Sequence, residues 1–65
     1  MKEKWFLDWL KDNGYVFWYE ERDNEIWINT QYTIVWHPAL GIRLQITNEM
    51  ASEEYISATL IKQEA

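Results

Sequence analysis

The sequence predicts one small α+β domain spanning residues 1–65, of order α-β-β-β-α. Its antiparallel sheet has three strands, with the long middle segment open to splitting into two, and both helices cover one face. Three observations carry this. Apolar residues near the start recur at helical spacing. Two segments rich in aromatic and β-branched residues flank a polar turn. Residues 42–47 alternate apolar and polar with period two.

Residues 2–13 form the first helix. Trp5, Phe6, Trp9 and Leu10 make one stripe, and Lys2, Lys4, Asp8, Lys11 and Asp12 fall mostly outside it. Asn13-Gly14 ends it, with Gly14 suited to the left-handed position after a helix. Residues 15–21 (Tyr-Val-Phe-Trp-Tyr-Glu-Glu) have strand composition, as do residues 25–37. Between them Asp23-Asn24 suits a two-residue hairpin turn, which needs positive φ at both positions.

That turn predicts a register. Glu20 faces Trp27, Tyr19 faces Ile28 and Phe17 faces Thr30. One face then collects Tyr15, Phe17, Tyr19, Ile26, Ile28, Tyr32, Ile34 and Trp36. The other collects Val16, Trp18, Glu20, Arg22, Glu25, Trp27, Asn29, Gln31 and Val35. Pro38 ends the strand, and 37–41 is a turn. Ile42, Leu44 and Ile46 point inward from the next strand. The tail, 48–64, reads as a helix capped by Asn48 or, in a shorter form, by Ser52. Glu49, Glu53 and Glu54 suit its positive end. A strand over 55–61 is the competing reading.

The α-β-β-β-α order and the length resemble the double-stranded-RNA-binding domain in topology. The resemblance implies no RNA binding, because the stretch opening the second helix is Ser52-Glu53-Glu54-Tyr55-Ile56-Ser57, acidic where a basic motif would meet the phosphates. Small acidic single-domain chains of this kind also resemble phage-encoded inhibitors of host defence or host enzymes.

Eleven acidic side chains against six basic ones leave a net charge of −5. Phosphate binding needs clustered Lys and Arg, so direct nucleic-acid binding is not expected. With no cysteine, there is no disulfide and no thiolate metal site. No apolar run reaches the roughly 20 residues of a membrane helix, and the start lacks a signal-peptide pattern, which points to the cytoplasm. No catalytic constellation is visible. His37 is the only histidine and precedes Pro38, Ser52 and Ser57 have no evident base, and the carboxylates of 20–25 read as a wet hairpin tip. No cofactor or metal is expected.

Five tryptophans and four tyrosines in 65 residues point to recognition by aromatic anchors. The predicted register makes Trp18 and Trp27 diagonal neighbours amid Glu20, Arg22, Asn29 and Arg43, an apolar centre with a polar rim. The expected function is a non-catalytic protein-binding module, of the phage or mobile-element inhibitor kind, whose partner is another protein or a second copy in a two-fold dimer. The competing expectation is an acidic nucleic-acid mimic, since the acids gather in 20–25 and 49–65.

Overall fold

The computed structural model describes residues 4–64. Two helices flank a four-stranded antiparallel meander: α1 (Lys4–Asp12), β1 (Val16–Glu21), β2 (Asn24–Ile28), β3 (Tyr32–His37), β4 (Gly41–Thr47) and α2 (Glu53–Glu64), in sheet order β1-β2-β3-β4. Residues 2 and 3 of the predicted first helix lie outside the described residues. Residues 25–37 are not one long strand: they split at 29–31, the alternative left open by the sequence, and the resulting four-stranded order replaces the three-stranded one on which the resemblance to an RNA-binding domain rested. None of the described helices is long and apolar enough to cross a membrane.

Helix α1 ends as its sequence requires. Gly14 has φ +78°. The Gly14 amide donates to the Lys11 carbonyl at 3.1 Å and the Tyr15 amide to Leu10 at 2.9 Å, closing a Schellman motif. Leu10 and Tyr15 share a hydrophobic cluster, the apolar contact that accompanies the motif.

The helices lie on opposite faces of the sheet, not on one. Phe6 and Leu10 of α1 pack with Tyr15, Ile34 and Trp36, and Trp27 joins them. Ile56 and Leu60 of α2 pack with Ile26, Val35 and Ile46, flanked by Tyr19 and Leu44. The cause is visible in β3: Ile34, Val35 and Trp36 are all buried. Consecutive strand residues point to opposite faces, so a fully buried run requires cover on both.

Three irregularities break the continuous alternation that predicted a single apolar face. The hairpin turn centres on Arg22 and Asp23, with φ of 51° and 65°, one residue earlier than Asp23-Asn24. Asn24 instead enters the core, where its Nδ2 donates to the carbonyls of Glu21 and Arg22 at 3.2 and 2.9 Å. The register is therefore Tyr19 opposite Ile26 and Glu20 opposite Glu25. A bulge at Trp18 then shifts the pairing to Phe17 opposite Trp27, which moves Phe17 to the α1 side. A second bulge, at Arg43, pairs Trp36 with Ile42 and Val35 with Leu44. Ile42 thus faces away from Leu44 and Ile46 and is half exposed, contrary to the predicted inward trio.

The loops are fixed by amides. The Asn29 side-chain oxygen accepts from the Gln31 and Tyr32 amides, both at 2.8 Å, a turn built on its own side chain. Asn48 ties this turn to the end of β4: its Nδ2 donates to the Asn29 carbonyl at 2.7 Å, and its Oδ1 accepts from the buried Thr33 hydroxyl at 2.8 Å. Asn48 is therefore committed elsewhere, and Ser52 caps α2, its Oγ accepting from the Tyr55 amide at 3.0 Å.

Candidate functional site

Beside α1, the described residues leave part of the β1–β2 hairpin open. There Phe17, Glu20, Glu25 and Trp27 line an open cleft of about 270 Å³. The bulge at Trp18 creates it by turning Phe17 toward Trp27. The two rings meet edge to face, with centroids 5.6 Å apart and planes at 77°. The Trp27 Nε1–H donates to Glu25 Oε1 at 3.0 Å. Glu25 is only 7% exposed, so the expectation of a wet hairpin tip fails at this position. Glu20 stands across the strands from Glu25 and remains exposed.

The candidate residues named from sequence are spread over different settings. Trp18 is exposed at 36%, and its ring meets Tyr19 edge-on at 5.0 Å. Tyr19 belongs to the α2 cluster, whereas Trp27 belongs to the α1 cluster, so the two indoles have different surroundings. Glu20 and Trp27 share the cleft. Arg22 occupies the turn, its Nε 3.9 Å from Glu21 Oε2. Asn29 is committed to loop geometry, and its Nδ2 also donates to the Asn13 carbonyl at 3.0 Å. Arg43 lies in β4, the opposite edge of the sheet, three strand spacings or about 14 Å from β1. The cleft thus unites Glu20 and Trp27 with Glu25, which the predicted register put on the same face, and with Phe17, which it put on the other. Only the bulge reveals Phe17, and nothing in residues 16–19 marks it.

The edge of the sheet beside the cleft is apolar. Val16, Phe17 and Trp18 are consecutive and are exposed at 61, 49 and 36%. A second cleft, of about 300 Å³, lies by Trp5, Trp36 and the 38–41 turn. A third, of about 340 Å³, lies between Gln31, Tyr32 and Asn48.

Electrostatically the hairpin end is acidic, with four carboxylates in 20–25 against Arg22. Tyr19 records this. Burial pushes its phenol up to about 12, and the carboxylates of Glu21 and Glu53 add to the rise. Among the described residues its hydroxyl, Glu21 Oε2 and Asn24 Oδ1 are buried with no hydrogen-bond partner. Tyr15 is also raised, by burial and then Tyr32, against a hydrogen bond from Asn29 that lowers it. His37 serves the turn that follows it, where its Nδ1 accepts from the Ala39 and Leu40 amides at 3.0 and 3.2 Å.

Comparisons with protein-family models, with curated proteins and with solved structures find no match for this chain.

Proposed function

We propose that this chain is a non-catalytic protein-binding module that docks its partner on the aromatic surface of β1 and the adjoining cleft. The observation that carries the reading is the run Val16-Phe17-Trp18, exposed along an edge strand whose outer backbone groups face no strand among the described residues. Edge strands of free-standing proteins are normally protected by charge, proline or cover. An apolar edge beside a cleft with an acidic rim has the anatomy of an interface. Trp18, Trp27 and Glu20 take part with Phe17, and Arg22 lies at the rim. A module of this kind acts as an inhibitor, of the phage or mobile-element type, by occupying a cytoplasmic partner's own contact surface.

The test is quantitative capture from the lysate of the chain's own host cell, with wild type and a Phe17→Ala/Trp18→Ala variant checked for folding by circular dichroism. A stoichiometric partner lost with the variant is expected. An unchanged set of captured proteins would count against the reading. Sedimentation of the purified chain covers the homodimer case, since a dimer dispersed by the same variant makes the partner a second copy.

One observation favours a second reading, the acidic mimic of nucleic acid. Glu21 and Glu53 both act on the Tyr19 phenol, so the two acidic stretches of the sequence meet at one end of the fold. A mimic's complex must weaken steeply with salt, because screening shortens to about 3 Å at 1 M. Binding that survives molar salt excludes it.

A further inference from the structure

We infer that the edge strand β1 pairs antiparallel with β1 of a second copy of this chain, joining two sheets into one. The inference rests on the protein-binding reading above and names the partner. The two edges of the sheet differ. Among the described residues β4 exposes one large apolar side chain, Ile42, next to Arg43, and the Arg43 carbonyl accepts from Gln63 Nε2 at 3.5 Å. β1 exposes Val16, Phe17 and Trp18 in succession. Its residues 16–21 include none of the lysine, arginine or proline that usually guards an edge, and its two acids stand at one end, after the apolar run. Each edge carries a bulge, so the bulges do not distinguish them.

Geometry selects a strand as the occupant. Val16 stands opposite Ile28 and Phe17 opposite Trp27, so these two exposed side chains point to opposite faces of the sheet. A surface laid on either face reaches only one of them. A strand added along the edge lies beside both. The matching strand is itself short, open on one side and apolar toward both faces, which is what β1 of a second copy presents. Charge sets the direction. Parallel pairing would put Glu20 of one chain beside Glu20 of the other, and like charges side by side are unfavourable. Antiparallel pairing about a two-fold axis near Phe17 lays apolar run on apolar run. It carries Glu20 and Glu21 past that run, beside the uncharged Asn13-Gly14. The bulge at Trp18 keeps the paired stretch short, which places the dimer among the weak interfaces below about 1,200 Å².

The experiment is sedimentation equilibrium of the purified full chain at up to about 1 mM, in low and high salt. A reversible monomer–dimer equilibrium is expected. It tightens with salt, because each copy carries a net charge of −5 and screening weakens their repulsion. A complex with a basic partner would loosen instead. Val16→Lys weakens the dimer at least about tenfold, although it lowers the repulsion between the two acidic chains. Leu40→Lys, at an exposed apolar position outside β1, does not weaken it. Amide exchange at Val16, Phe17 and Trp18 slows as the wild-type concentration rises, which keeps the test decisive if the Val16 variant is unstable. A strict monomer, a dimer that Val16→Lys leaves intact, or β1 exchange indifferent to concentration overturns the inference. If capture of a host protein still depends on Phe17 and Trp18 in that case, the binding module stands and only the self-pairing falls.

Discussion

Asn24 shows how one buried amide redirects a hairpin. Asp23-Asn24 has the local propensity for the turn, yet Asn24 sits inside, its Nδ2 bonded to two carbonyls of its own turn and its Oδ1 buried. The positive φ values pass to Arg22 and Asp23. Tyr19, beside it, carries a pH signature. Its phenol is raised above the ordinary value near 10 to about 12, so the folded chain holds that proton more tightly than the unfolded chain. The resulting stability is fully present below pH 10 and is lost as pH rises toward 12. Denaturation followed between pH 9 and 12 should show that fall. Tyr19→Phe should flatten it without loss at pH 7, because the hydroxyl it removes is buried and unpartnered. The Gly14 helix stop was plain from sequence, since a left-handed residue there needs glycine. The turn centre was not, because it depends on burial that local pattern does not contain.

At the scale of elements, the two helices differ in how well sequence described them. The α1 stripe contains Trp5, Phe6, Trp9 and Leu10, but only Phe6 and Leu10 are buried, one helical turn apart. Helix α2 has no single apolar stripe, yet Ile56 and Leu60 lie on one side and are fully buried, while Tyr55 and Ile61 remain outside. Leu60→Ala should therefore cost about 2–5 kcal/mol in urea unfolding. That is a large share of the roughly 3–10 kcal/mol that 0.05–0.15 kcal/mol per residue implies for this length. Ile61→Ala, one position on, should stay within about 0.5 kcal/mol. Equal losses at both positions would mean that α2 docks by another face. In the strands, clean alternation was a good guide to existence and a poor one to direction. Bulges at Trp18 and Arg43 each reverse a side chain, and neither has a glycine to announce it.

For the molecule as a whole, α+β class, element order and two terminal helices follow from the sequence, while the placement of the helices does not. A single apolar face would have put both on one side. The contrary sign was present in the unbroken apolar runs Ile26-Trp27-Ile28 and Ile34-Val35-Trp36, which suit strands covered on both faces. With α1 on one face and α2 on the other, β2 and β3 form the protected centre. Hydrogen exchange should accordingly be slowest at the amides of Ile26, Ile34 and Val35, and fast along the outer edge of β1. Uniform protection across all four strands would contradict that arrangement. Among the described residues the β1 end of the α1 face is not covered by α1, and the cleft lies there.

The pairing of Phe17 with Trp27 underlies the cleft, and proton–proton contacts in the NMR spectrum of the full chain test it most directly. Strong cross-peaks between the Phe17 ring and the Trp27 indole, with Tyr19 opposite Ile26, are the expected result. Cross-peaks joining Trp18 to Trp27, with Tyr19 opposite Ile28, would restore the unbulged register and remove the site.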